Sequence, residues 1–279
     1  MPRMTVISSG FYDSVQDRGR VNYRHIGVPQ SGAMDQRSAD LGNSLLNNPL
    51  DAAVVEVTLK GGTYVFSYPT SIAVTGAIAL VSINDVAAQQ NKLLEITVGD
   101  VLKIGVATTG NFIYIAIAGG FQAQEVLGSK SFYTGITLKS KLAKGDHVNY
   151  VDFSKNKLTQ DIWKSKEQES ALRCYAGPEF HLLDLKQQEK LLITSFAVSK
   201  NWNRMAFQLA GKIPNTLRQL KSSPVLPGTV QLTASGQLIV LMRDAQTTGG
   251  YPRVLQLEEI AVSRCAQKRV GEQLGFIVL

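Results

Sequence analysis

Short runs rich in Val, Ile, Tyr and Thr alternate along this chain with Gly, Asn, Asp and Pro: "GGTYVFSY" (61–68), "SIAVTGA" (71–77), "LLEITVGDVLKIGVA" (93–107), "NFIYIAIAGG" (111–120), "GTVQL" (228–232) and "GQLIVLMRDAQ" (236–246). β-branched and aromatic side chains suit a pleated, half-buried surface, and the residues between them suit turns, so each run predicts a strand. Their spacing predicts β-barrels or sandwiches rather than alternating strand–helix units. A helical period is found only at Asp35 to Leu46, Leu182 to Leu192 and Glu258 to Gln267. In the first of these Asp35 is an N-cap, with Leu41, Leu45 and Leu46 as an apolar face. The Lys-rich stretch "SKNKLTQDIWKSKEQESALR" (154–173) divides the chain. The expected organisation is all-β with few short helices: an N-terminal β-barrel domain with one helix over 1–155, a linker over 156–171 and a second β-barrel over 172–279.

Composition supports a folded chain. Of 279 residues, 44% are apolar and 18% charged, enough to build a core and too few charges for disorder. The N-terminus lacks the apolar stretch of a signal peptide, and no apolar run reaches the roughly 20 residues needed to span a bilayer, so a soluble, cytoplasmic protein with no membrane partner is expected. The formal charge of +7 comes from dispersed lysines with no arginine-rich stripe, which argues against nucleic acid. Cys174 and Cys265 have no CxxC spacing and read as reduced thiols. His25, His147 and His181 lie far apart, so no metal is expected.

Candidate chemistry gathers where apolar runs end in small and polar residues. "GVPQSGAMD" leads into the first helix, where Ser31, Gly32, Ala33 and Met34 are small or flexible enough for close ligand approach and the helix start offers backbone donors and partial positive charge. Similar chemistry ends other strands at Thr75 and Gly76, and at Gly119 and Gly120. The strand "LIVLM" runs into "RDAQTTGGYP", where a plain turn accounts for the glycines and leaves Asp244, Gln246 and Thr247 unexplained; Thr248, Gly250 and Tyr251 complete this candidate substrate segment. Asp35 and Asp244 are the candidate carboxylates for general-base or water-positioning work, and the amides of Ser31 to Asp35 are the candidate oxyanion donors. Gly27–Asp35 and Arg243–Tyr251 are expected to serve one site.

The stretches "SVQDRGR", "GVPQSGAMD", "NNPLDAAVVEVT", "VTGA", "YIAIAGGF", "VLGSKSFY" and "DAQTTGGYP" occur in an order and spacing that resemble the allophanate hydrolase subunit 2 family, also known as the biotin-dependent carboxyltransferase family. The resemblance covers nearly the whole chain. It implies two cyclophilin-like β-barrels and a subunit of an ATP-dependent 5-oxoprolinase, which opens 5-oxoproline to glutamate. The implied partners are a companion protein of the allophanate hydrolase subunit 1 family and a lactam-utilisation subunit. Two other roles fit the resemblance: a carboxyltransferase component acting on urea or another small amide, and a non-catalytic module that binds a kinase-inhibitor-like companion. The chain departs from the family pattern at "LKSSPVLPG", where an acidic segment is expected, and at Asn203, Gln208 and Ala261. It has no phosphate-binding GxxxxGK[ST], which "GSKS" (128–131) only approaches, and no Met-Lys-Met biotin site. ATP would then be shared with partner subunits, and any biotin carried by another protein.

Overall fold

A computed structural model describes residues 1–152 and 171–279. The chain divides into two units. One contains Met1–Arg20 and the chain from Ser31 through the first set of strands; the other contains Val21–Gln30 and the C-terminal part through Leu279. The expected linker at 156–171 lies outside the described residues except for Ala171, which opens a strand. The stretch Val21–Gln30 is grouped with the C-terminal unit, an excursion that no composition shift in the sequence marks.

The first unit is built on a ten-stranded sheet. Its centre is the antiparallel pair Thr70–Ile83 and Val101–Ile117, in register from Ile72 opposite Ile117 to Ile83 opposite Leu102. The sequence reads 93–107 and 111–120 as separate runs, but Val101–Ile117 is continuous. Bulges between Gly76 and Val81 absorb the irregularity that the glycines announce. Val54–Thr58 lies between Tyr12–Gln16 and Val101–Ile117 and is buried at every position, as expected of a strand covered on both faces. Met4, Val55, Val57, Tyr64, Phe66, Ile72, Val74, Ile113 and Ile115 are among the residues of the core.

Helix α1, Gln36–Leu45, packs on the central pair. Its buried face is Ala39, Gly42, Asn43 and Leu46, one step round from the expected leucine face; Leu41 and Leu45 are half-buried. The reason is close approach: a Cβ on Gly42 would stand 3.0 Å from Ala116 Cβ and 3.3 Å from Thr75 Oγ1, so small residues must face the sheet.

In the second unit seven strands close into a barrel, in the order Ala171–Ala176, Arg253–Leu257, Thr229–Leu232, Leu238–Leu241, Ala206–Ala210, Phe196–Trp202 and Gln273–Val278. Parallel pairing of the last strand with the first closes it and removes the sheet edges. The helix expected over Leu182 to Leu192 is a 3-10 turn, Phe180–Leu182, followed by α2, Leu185–Ile193. The break falls where Asp184 caps α2 in a reciprocal bond pair with Gln187. Helix α3, Glu259–Ala266, matches the third expected helix. Cys174 and Cys265 are buried free thiols; burial pushes Cys174 up to about 11 and Cys265 to about 12, which leaves both unreactive at neutral pH.

Candidate functional site

In the first unit the turn before α1 is tightly committed. Ser31 adopts φ +58° and Gly32 φ +95°. A Cβ on Gly32 would stand 3.0 Å from Arg18 C and 3.1 Å from Asp17 O and Gly19 N, so the turn lies directly on that backbone. The Ala33 amide donates to Asp17 O at 3.0 Å, the Met34 amide to Glu56 Oε2 at 2.7 Å, and the Asp35 amide to the Tyr114 hydroxyl at 2.7 Å. Tyr114 in turn donates to Glu56 Oε2 at 2.9 Å. Burial and the neighbouring Glu56 and Asp35 charges push the Tyr114 phenol well up, so it stays a neutral donor. Asp35 caps α1, its carboxylate accepting from the Ser38 amide at 3.3 Å and the Ser38 hydroxyl at 2.6 Å.

Of the amides of Ser31 to Asp35 expected as oxyanion donors, those of Ala33, Met34 and Asp35 are already bonded within the protein. Ser31 is different. It is 1% exposed, and among the described residues its hydroxyl has no hydrogen-bond partner. Thr75 joins this region by donating to Ser38 O at 2.6 Å. Gly76 is set by geometry, since a Cβ there would lie 2.4 Å from Phe112 O. Gly119 and Gly120 belong elsewhere: the Gly119 amide donates to Asn48 Oδ1 beyond the C-terminal end of α1, and a ten-residue helix is about 15 Å long.

The "GSKS" loop is held by Asp17. Its carboxylate accepts from the Gly19 amide at 2.7 Å and, at 2.6 Å each, from the Ser129 hydroxyl, the Lys130 amide and the Ser131 hydroxyl. These donors would have to meet a phosphate if the loop bound nucleotide. They are spent on a carboxylate, so the loop does not fit one. Arg20, fully buried, donates to Ser131 O.

The second unit is built differently. After the buried strand Leu238–Leu241, Asp244 forms a fork with Arg204, accepting from Nε at 2.8 Å and Nη2 at 3.1 Å. Thr248–Gly249 then pairs with Ser223–Pro224 as a short ribbon. The Val225 amide donates to Thr247 O at 3.1 Å, and the Leu220 amide to Gly250 O at 2.8 Å. Val225, Leu241 and Ala245 form a small apolar cluster beneath it. The departing segment "LKSSPVLPG" is thus the other half of the "DAQTTGGYP" ribbon.

Two arginines, Arg24 and Arg253, bond the ribbon backbone, and two more, Arg204 and Arg243, form ion pairs at the strand end leading into it. Arg204 pairs with Asp244, Arg243 with Glu259 and Arg253 with Glu179. Arg253 also donates to Pro224 O at 2.9 Å. Its guanidinium holds the Glu179 carboxyl below the usual carboxylate range, with the Arg253 amide adding to the effect. Arg24, on the 3-10 turn Arg24–Ile26, donates through Nη2 to Val225 O and, at 3.2 Å, to Gln246 O. The ribbon backbone is fixed from several sides, while the side chains of Gln246, Thr247, Thr248 and Tyr251 make no hydrogen bond among the described residues. That arrangement suits recognition: a rigid frame carrying unspent polar groups.

Of the expected site residues, the structure places Asp244, Gln246, Thr247, Thr248, Gly250 and Tyr251 on one ribbon, and Ser31, Gly32, Ala33, Met34, Asp35, Thr75 and Gly76 around the start of α1. Gly27–Gln30 belongs with the former group's unit and Ser31–Asp35 with the other. Sequence reasoning missed Arg24, Arg204, Glu56 and Tyr114. Glu56 alone left a signal, as a single acid inside the otherwise apolar run "AVVEVT". The family departures are quiet: Asn203 Oδ1 accepts from the Met205 and Ala206 amides, Gln208 bonds Asn201 and Gln237, and Ala261 is buried in α3. Among the described residues no group of His, Cys, Asp or Glu could hold a metal ion, and no helix is long and apolar enough to cross a membrane.

Comparison with known proteins gives this geometry a family. The chain is 33% identical to the C subunit of the 5-oxoprolinase of Escherichia coli (strain K12), over 98% of this chain and 90% of that protein. It is 29% identical to the urea amidolyase of Lachancea kluyveri over 98% of this chain and only 17% of that much longer protein. The solved urea carboxylase of Kluyveromyces lactis superimposes with a TM-score of 0.88 at 25% identity, over 99% of this chain and 27% of that one. Residues 26–278 match the carboxyltransferase domain, subdomain A and B, and the chain belongs to that family.

Proposed function

We propose that this chain is the C-type subunit of an ATP-dependent 5-oxoprolinase, acting on a small cyclic amide together with companion subunits. The observation that carries the reading is the two-way extent of the likeness to the 5-oxoprolinase C subunit, nine-tenths or more of both chains. In this reading the ribbon Gln246–Tyr251 contributes amide and hydroxyl groups that match the N–H, carbonyl and carboxylate of a lactam acid. Asp244, oriented by Arg204, positions water or takes its proton; Asp35 is occupied as a helix cap, so the carboxylate role falls to Asp244. ATP is held chiefly by the companions, a protein of the allophanate hydrolase subunit 1 type and a lactam-utilisation protein, because the one phosphate-loop-like stretch here is filled by Asp17.

A second reading, carboxyl transfer to urea or another amide from biotin on another protein, is favoured by the family match and the urea carboxylase superposition. The test is reconstitution. The purified chain alone is expected to show no 5-oxoproline-dependent ATP hydrolysis, and the assembly with both companions to show it. Turnover by the isolated chain, or none with every partner supplied, overturns the reading. Urea-dependent carboxyl transfer with a biotin carrier would establish the second reading in its place.

A further inference from the structure

We infer that Arg24 is a positioning residue for the ribbon, holding the Gln246–Tyr251 segment in place through the main chain rather than touching substrate. The inference deepens the functional reading above and rests on it for the identity of the substrate. The geometry is specific. Arg24 Nη2 spans two carbonyls, Val225 O on one arm of the ribbon and Gln246 O at the root of the other. Arg253 takes the preceding carbonyl, Pro224 O. Successive carbonyls of the Ser223–Leu226 arm are thus gripped by guanidiniums from two different segments.

Arg253, Arg204 and Arg243 each direct their charge at a carboxylate. Among the described residues Arg24 forms no ion pair, and its Nη1 is buried without a hydrogen-bond partner. Burial lowers its pKa, so the protein bears a desolvation cost at this position that no counter-charge offsets. What the cost secures is the bridge between the two arms. Both bonds leave the single Nη2, whose two N–H groups are fixed in the guanidinium plane, whereas a lysine ammonium rotates on a flexible stem and fixes no such angle. The residue comes from Val21–Gln30, the stretch of early sequence that belongs to the second unit, and the 3-10 turn closed by Gly27 at φ +83° presents it.

The test uses the full chain with Arg24→Ala and Arg24→Lys. Hydrogen exchange is followed at the Val225 and Leu220 amides, which bond Thr247 O and Gly250 O, with the Thr229–Leu232 strand as internal reference. Arg24→Ala is expected to speed exchange at both ribbon amides about tenfold or more while the barrel strand stays within about twofold, the mark of local rather than global opening. Arg24→Lys is expected to fall short of restoring protection, and millimolar guanidinium to restore it in Arg24→Ala. In the assembled complex, KM for 5-oxoproline is expected to rise about tenfold in Arg24→Ala, with a smaller change in kcat. Unchanged ribbon exchange overturns the inference, and so does acceleration of the whole barrel together, which would make Arg24 a general stabiliser. If the wild-type complex does not turn over 5-oxoproline, the functional reading fails, and the exchange measurement still decides the role of Arg24.

Discussion

The two units bury their acids in opposite ways. In the first, Asp17 is satisfied by two hydroxyls and two amides, and Asp13 accepts from the Gly10 amide at 2.9 Å and the Tyr64 hydroxyl at 2.8 Å, all neutral donors. In the second, the mostly buried Asp244 and Glu179 each face a guanidinium. Neutral donors on the backbone leave little to spare, and among the described residues the turn at Ser31–Asp35 keeps one unpartnered hydroxyl, that of Ser31. Arginines reaching in from separate segments can fix a backbone while its own side chains stay unspent, as they do on the ribbon. The unspent polar side chains of the ribbon therefore sit beside arginines that hold its backbone.

The largest break in that contrast is expected at Gly32. Gly32→Val places a Cβ against the Asp17–Gly19 backbone at a φ that branched residues avoid, and should cost about 3 kcal/mol or more in urea unfolding. The variant therefore reports on folding, where the sequence alone would have offered it as a probe of ligand binding. Next is Arg204→Met, which strands Asp244 in a mostly buried place and should cost about 3 kcal/mol. Tyr114→Phe removes the hydroxyl that serves both the Asp35 amide and Glu56, at about 1–3 kcal/mol.

The smallest effect carries the sharpest sign. Burial raises the Asp13 carboxyl, against the lowering effect of its two bonds, so the native state is most favoured below the unfolded pKa and loses stability as pH rises through the folded one. Asp13→Asn should match or exceed the wild type at neutral pH, with the difference vanishing in acid. Glu179 is lowered, so its contribution is present above the unfolded pKa and is lost as pH falls through the folded one. Glu179→Gln should cost stability at neutral pH and progressively less in acid. Denaturation midpoints across a pH series check both.

Much of the fold was legible in the sequence. Alternation and turn residues located most strands, and Asp35 and the Glu258 to Gln267 period located two helices closely. The misses have physical causes. The glycine of "TTGN" looks like a turn until Thr70–Ile83 pairs along the whole strand and bulges take up the slack. The leucine face of α1 turned because Ala39 and Gly42 allow closer packing than Leu41 would. At the site, polar residues ending apolar runs pointed to Asp244–Tyr251, but not to what holds it, since Arg24 and Arg204 meet it only through tertiary contacts. The Ala33–Asp35 amides looked available because sequence cannot show that Asp17, Glu56 and Tyr114 arrive to take them.

Under the proposed function the arginine-held ribbon, rather than the helix start, carries this chain's share of the chemistry. The direct measurement is steady-state 5-oxoproline-dependent ATP hydrolysis by the assembled complex carrying Asp244→Asn or Ser31→Ala. Asp244→Asn is expected to lower kcat about a hundredfold with KM within about threefold, and Ser31→Ala to change kcat by less than about threefold. A wild-type kcat in Asp244→Asn, or a hundredfold loss in Ser31→Ala alone, would contradict it.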